Sequence, residues 1–207
     1  DEVVNVVLTN GSDEIILASR NGKAVRFNEN LIRTMGRVST GVRGMNLSLD
    51  EEPDNEVIGM IVVHDPDNDT IMVVSEKGFG KRTKVEDYRM TNRGTKGVKT
   101  LNITDKTGKL LAINTVQDDE DLMIINKSGI TIRFSVASCR VMSRGTQGVK
   151  LIDLKKKNDY IASVCKVMHI DEDEELLDEL AEGEENVDVK SADTDAPANN
   201  ETPETQE

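Results

Sequence analysis

Nine cationic side chains stand at fixed offsets from three glycines. Counting from Gly22, Gly78 and Gly129, the fourth residue on is Arg26, Arg82 or Arg133, the fifteenth is Arg37, Arg93 or Arg144, and the twenty-first is Arg43, Lys99 or Lys150. Lys81 adds a cation beside Arg82. Side chains of one sign, repeated at one place in every copy of a unit, make a stripe of positive potential that matches a phosphate backbone rather than base edges. An outward-facing strand position chosen only for solubility would be acidic almost as often as basic, since residues 1–170 hold 25 Lys and Arg against 23 Asp and Glu. All nine aligned positions are basic, so the expected chemistry is contact with a polyanion.

Other chemistry is thinly represented. His64 and His169 have no Cys or His at metal-ligand spacing and read as loop residues. Cys139 and Cys165 fit no metal or redox spacing and are expected to be reduced, buried small hydrophobes. The run Asp65-Pro66-Asp67-Asn68-Asp69 lacks the glycine and distal glutamate of a calcium loop and reads as a polar turn. Gly78-Phe79-Gly80 falls in a hairpin rather than ahead of a helix, so it is no phosphate loop. No nucleophile stands with a base, and neither a catalytic site, a metal nor a cofactor is expected.

The elements that must carry the cations form a repeat. Gly22 to Gly41, Gly78 to Gly97 and Gly129 to Gly148 are each 19 residues apart, whereas the copies recur after 56 and then 51 residues, so these six glycines mark a rigid cassette with a variable linker. Each cassette opens with an apolar run, Ile15 to Ala18, Ile71 to Val74 or Leu122 to Ile125, that leads into a glycine turn. A second strand follows in Val25-Arg26-Phe27 and Ile132-Arg133-Phe134, while Gly80-Lys81-Arg82 alternates less cleanly. Val42, Val98 and Val149 begin a third strand, and Val57 to Val63, Leu110 to Val116 and Ile161 to Val167 form a fourth. Four strands per repeat of about 50 residues predict an all-β, propeller-like array. Val3 to Leu8 reads as one stray strand of a preceding blade. The expected layout is therefore 1–12 as that strand, blades at 13–68, 69–118 and 119–170, and a tail at 171–207.

Composition supports this reading. Of the 207 residues 36% are hydrophobic and 2% aromatic, with no Trp, so a core must come from Val, Ile, Leu and Met, the first two of which favour strands. The net charge of −13 opposes a polyanion partner at first count, but residues 171–207 hold 16 Asp and Glu against one Lys. The tail is expected to be mostly disordered, with one short helix at Leu176, Leu177 and Leu180. Held near the basic ranks, its carboxylates Asp171 to Glu175 and Glu182 to Glu185 would compete for them or serve only solubility. No leader and no apolar run near 18 residues marks export or membrane insertion, so a cytoplasmic setting is expected.

Three segments carry a family resemblance: Met35 to Met45, Gly78 to Thr83 and Arg144 to Val149. In this order and spacing they are similar to consecutive blades of the C-terminal β-pinwheel of bacterial DNA gyrase A, over residues 1–170. The resemblance implies a six-bladed domain that wraps duplex DNA around its basic edge in support of negative supercoiling. The implied partners are duplex DNA, the remaining gyrase A domains and, through them, gyrase B, with the protein cytoplasmic and associated with the nucleoid. The family's Gln-Arg-Arg-Gly-Gly-Lys-Gly box marks the first blade and is not in this sequence, so the chain is expected to be the later half. Family members cleave DNA with a tyrosine that follows an arginine in a separate domain. Tyr88 lies between Asp87 and Arg89, and Tyr160 follows Asp159; both are expected to pack blades, and no catalysis is expected of this chain alone. The alternatives are the related C-terminal domain of topoisomerase IV and a propeller that binds proteins through its loops.

Overall fold

Short apolar runs broken by glycine favour hairpins, and the computed structural model, which describes residues 3–154 and 159–169, is built from three of them. The strands are β1 (Glu14–Ser19), β2 (Lys23–Asn28), β3 (Val57–Val63), β4 (Thr70–Ser75), β5 (Phe79–Lys84), β6 (Val98–Lys99), β7 (Leu110–Val116), β8 (Glu120–Asn126), β9 (Thr131–Ser135), β10 (Val149–Lys150) and β11 (Ile161–Met168). Hairpins β1–β2, β4–β5 and β8–β9 turn at Gly22, Gly78 and Gly129, where φ is +74°, +79° and +85°. Each second strand ends in a short 3-10 turn, Glu29–Leu31, Val85–Asp87 or Val136–Ser138. The fourth strands β3, β7 and β11 run antiparallel to the first strand of their own repeat.

The blades are not contiguous segments. The sheet orders are β3-β1-β2-β6, β10-β5-β4-β7 and β11-β8-β9, so the third strand of one repeat completes the sheet of the repeat before it. Val98 lies opposite Ala24, and Val149 opposite Gly80. The blade limits 13–68, 69–118 and 119–170 therefore mark repeats but not sheets. This exchange also corrects the count, because sheet three has three strands among the described residues and the third-strand segment of the first repeat, at Val42, joins no sheet. Val3 to Leu8 is not a strand either: Val3 is 83% and Leu8 92% exposed. The segment touches the first sheet through the Asn5 side-chain amide, which donates to the Met60 carbonyl at 2.8 Å.

The two larger apolar cores lie between blades, and a third, of Ile15, Val25, Phe27 and Met45, lies within the first repeat. Ile16 and Ala18 of β1 pack with Ile71 and Val73 of β4, while Met72 and Val74, on the other face of β4, pack with Leu122 and Ile124 of β8. A strand flanked by two cores must be apolar on both faces, which is why β4 reads Ile-Met-Val-Val without alternation. Each such side chain, fully buried, contributes about 1.5–3 kcal/mol. β5 is a full strand despite its weak pattern, and its irregularity comes from Lys81, buried where the other copies have Val25 and Ile132. The tail and its short helix lie outside the described residues.

The second glycine of the second and third cassettes is explained by the exchange. At Gly97 and Gly148 φ is +75° and +78°, and an added Cβ would collide with the carbonyl of Ala24 or of Gly80 in the preceding blade. Gly41 has the same backbone, φ +80°, but meets nothing within 4 Å. Gly41→Ala should cost about 1–2 kcal/mol for its conformation alone. Gly97→Ala and Gly148→Ala should cost clearly more, and urea unfolding of the three variants side by side measures the difference.

Candidate nucleic-acid interface

Two of the three members of the first cationic rank do not face outward. Arg26 and Arg82 sit in the second strands β2 and β5, where each guanidinium is clasped by its own sheet and reaches into the next repeat. Arg26 Nε donates to Glu14 Oε2 at 2.8 Å, and its Nη1 donates to the carbonyls of Val85 at 2.8 Å and Tyr88 at 3.0 Å. Arg82 Nε donates to Thr70 Oγ1 at 3.1 Å, and its Nη1 to the carbonyls of Val136 at 3.0 Å and Cys139 at 3.4 Å. The acceptors recur at the same offsets because they are the carbonyls around the 3-10 turn of the following repeat. Arg133 donates to Asp121 Oδ2 at 2.6 Å and to the Met168 carbonyl at 3.3 Å. Arg82 is 5% exposed, and its planar fork adds a second donor to the Val136 carbonyl, which also accepts from Cys139 N, and reaches the Cys139 carbonyl. Arg26 and Arg82, expected to contact phosphate, are therefore latches within the protein, whereas Arg133, held by Asp121 and Met168 of its own repeat, is exposed.

Lys81 is likewise corrected. It is 0% exposed, and its Nζ donates to the carbonyls of Ser143 at 2.9 Å, Thr146 at 3.1 Å and Arg144. These carbonyls belong to the crossing loop of the third repeat, which an ammonium with three donors organises as an apolar residue would not. Burial, helped by the neighbouring Arg144 guanidinium, pushes Lys81 down to about 8, with Asp87 acting the other way.

The second and third ranks come together at the outer edge. In the second and third repeats the chain leaves the 3-10 turn, crosses to the preceding blade and forms its short third strand there. Successive crossing loops are joined by main-chain bonds, from Asn46 N to the Thr95 carbonyl at 2.9 Å and from Asn102 N to the Thr146 carbonyl at 3.1 Å. Arg93 Nη1 donates to the Arg43 carbonyl at 3.2 Å, and Arg144 Nη1 to the Lys99 carbonyl at 3.0 Å. A second-rank arginine thus rests on the third-rank residue of the repeat before it, which makes one continuous edge. Arg37, Arg43, Lys99 and Lys150 are exposed on it. Lys99 Nζ reaches Asn102 Oδ1 at 3.2 Å, and Lys150 pairs with Asp153.

A further rank escaped the sequence reading. The eleventh residue after the first glycine is Arg33, Arg89 or Arg140, all exposed. The same glycine alignment would have found it. The crossing segments as a whole, 30–49, 88–104 and 136–152, hold ten Lys and Arg and no Asp or Glu. Acids gather in the linkers instead, as in Asp50 to Glu56 and Asp65 to Asp69.

The remaining candidates have structural places. Tyr88 is buried, its hydroxyl meets Thr100 Oγ1 at 2.5 Å, and burial pushes it up to about 12. Asp65 to Asp69 is a turn in which Asp65 Oδ1 accepts from the main-chain N–H groups of Asp67 at 3.2 Å and Asn68 at 3.3 Å. His64 Nδ1 stands 3.4 Å from Asp13, and His169 Nδ1 2.9 Å from Asp121. Burial raises Asp121, but hydrogen bonds from His169 and Arg133 outweigh this and hold it low. Cys139 is buried, and burial pushes its thiol up, whereas Cys165 is exposed, contrary to expectation. No helix among the described residues is long and apolar enough to cross a membrane.

Four-stranded sheets that share cores and exchange a strand define a propeller-type repeat protein with a basic edge. The family model described as the DNA gyrase C-terminal domain, beta-propeller, matches residues 13–64, 69–117 and 120–164, and the chain belongs to that family. The DNA gyrase A protein of Staphylococcus aureus (strain NCTC 8325 / PS 47) is 39% identical over 203 residues, which cover 98% of this chain and 22% of the relative. The chain thus spans about a fifth of the length of that relative. Among solved structures, the C-terminal domain of DNA topoisomerase IV superposes with a TM-score of 0.73 at 24% identity, covering 87% of this chain and 54% of the other. The DNA gyrase A C-terminal domain superposes with a TM-score of 0.67, also at 24% identity, covering 76% and 51%. The last two comparisons show the fold.

Two outcomes follow from the inward cations. Arg82→Met should cost about 3 kcal/mol, the scale of breaking a buried charged network, seen as a lower urea midpoint, with no loss of salt-dependent polyanion binding by the folded fraction. Lys81, lowered to about 8, keeps its proton up to roughly 10.4 in the unfolded chain. Between these values the unfolded state binds more protons, so stability rises with pH. The Lys81 contribution should appear between about pH 7.5 and 9.5 as a urea midpoint that rises in the parent relative to Lys81→Met, since the Cys139 thiol, which burial pushes up, acts the opposite way equally in both.

Proposed function

We propose that this chain is a non-catalytic, sequence-tolerant duplex-DNA-binding module that bends or wraps DNA around its outer edge within a gyrase A protein. The observation that carries the reading is the acid-free, ten-cation run of crossing segments, laid end to end along one edge by bonds between successive blades. A propeller that recognised proteins through its loops would have no need to exclude every acid from three separate segments. Arg37, Arg43, Lys99 and Lys150 present charge at that edge, and phosphates spaced along a duplex are the ligand that repeated point charges fit.

No recognition helix is present among the described residues to enter a groove, so binding follows the outline of the duplex rather than its sequence. The remaining gyrase A domains and, through them, gyrase B are the partners this role requires, in the cytoplasm on the nucleoid. Tyr88, sealed in the core and bonded to Thr100, is not placed to attack DNA.

Affinity for duplexes of unrelated sequence should be similar, and log K should fall with log salt by roughly 0.9 per neutralised phosphate. Replacing Arg43, Lys99 and Lys150 together by Ala should flatten that slope by about 2–3, measured by fluorescence anisotropy across a salt series. An unchanged slope with unchanged affinity would favour a protein-binding propeller instead.

A further inference from the structure

The cations of the edge differ in what they already hold, and the difference assigns them separate work. Arg93 is committed on two sides: Nε donates to the Leu31 carbonyl at 3.1 Å and Nη1 to the Arg43 carbonyl at 3.2 Å. Both acceptors belong to the preceding repeat, one at the end of its 3-10 turn and one in its crossing loop. Arg144 repeats the second of these bonds on Lys99. A rotation of one blade against the next would break them, so these guanidiniums fix the angle between blades.

Arg33, Arg89 and Arg140 are the opposite case. They are exposed, and among the described residues their side chains make no hydrogen bond or ion pair. The main chain beside two of them is nonetheless held firmly. Met90, directly after Arg89, forms an isolated bridge to Arg26, and Val141, directly after Arg140, forms one to Arg82. Thr91 N donates to the Arg26 carbonyl and Met142 N to the Arg82 carbonyl, each at 2.8 Å. Each of these two arginines is therefore rooted at a seam between two blades, with its charge directed to no partner in the described residues. A rigid base with an uncommitted charged end is what a phosphate ligand needs, because little ordering is left to be done on binding.

We propose that Arg33, Arg89 and Arg140 are phosphate ligands of the edge, alongside Arg43, Lys99 and Lys150, and that Arg93 and Arg144 are positioning residues that set the inter-blade angle and hence the bend imposed on DNA. This rests on the duplex-binding reading above. It goes beyond it by separating charge that binds from charge that shapes.

Lysine substitution distinguishes the two roles, since a lysine keeps the charge but cannot bridge two carbonyls with a planar fork. Two readouts on the full chain are needed: the salt slope on a duplex of about 12 bp, too short to bend appreciably, and end-to-end energy transfer on one of about 30 bp, whose ends a bend of about 40 to 90° brings measurably closer. Arg33→Gln/Arg89→Gln/Arg140→Gln should flatten the slope by about 2.7, at 0.9 per contact, and the corresponding triple Lys variant should restore it. Arg93→Lys/Arg144→Lys should keep the slope on the short duplex and lose energy transfer on the long one. Circular dichroism melting of each variant shows that the blades are intact, and Arg93→Lys alone, a milder change, should show a partial loss of bending. An unaltered slope in the Gln triple variant, or full bending in the Lys pair, overturns the proposal. A parent chain with no salt-dependent binding to either duplex would instead remove the duplex-binding reading itself.

Discussion

The structure depends on each blade being finished by its neighbour. β6 completes the first sheet and β10 the second, although both strands belong to the following repeat. A third strand of only two residues, Val98–Lys99 or Val149–Lys150, brings few ladder bonds of its own. Its position is held instead by the latch of Arg26 or Arg82 on the next 3-10 turn, by the glycine that lets the chain cross the preceding carbonyl, and by bonds between crossing loops. All three act at the same seam. Loss of one would loosen both the sheet behind and the loop ahead, so adjoining blades should not behave as independent units.

The same seam connects packing to the proposed function. Because apolar cores lie between blades, the faces of β4 are both buried, and the crossing segments are left to meet a ligand. These segments are the ones without acids. Charge is therefore sorted by topology: cations that point into a seam become latches, and those on the crossing loops form the edge. Bending 20 to 30 bp of DNA through 40 to 90° costs on the order of 1–6 kcal/mol. Dispersed phosphate contacts offset that cost only if the blades hold their relative angle, which is the role proposed for the bonds of Arg93 and Arg144 to the preceding loop.

Lys81 shows how one substitution within a repeat is accommodated. Where the other copies place the buried Val25 and the half-buried Ile132, this one buries an ammonium and satisfies it with loop carbonyls. The cost appears in its lowered proton affinity, and the return is an ordered loop beneath Arg144. A buried, hydrogen-bonded lysine and an exposed phosphate-binding lysine look alike in sequence, and only the depth of the strand tells them apart.

Much was legible from residue order alone. Period-two alternation, glycine spacing and apolar runs located the hairpins and the fourth strands, because these depend on local turn geometry and on which faces are buried. The repeat and its basic character followed from counting, and the family followed from three motifs in order. What residue order could not show was partnership across repeats. Nothing in Val98 says that it pairs with Ala24 rather than with its own hairpin, and Val3 to Leu8 has the composition of a strand but no sheet to join. Arg26 and Arg82 shared a rank and a sign with the edge cations, yet tertiary packing turned them inward onto the carbonyls around the next 3-10 turn. Sequence determined where the charges recur; the exchange of strands between blades decided which of them face the solvent.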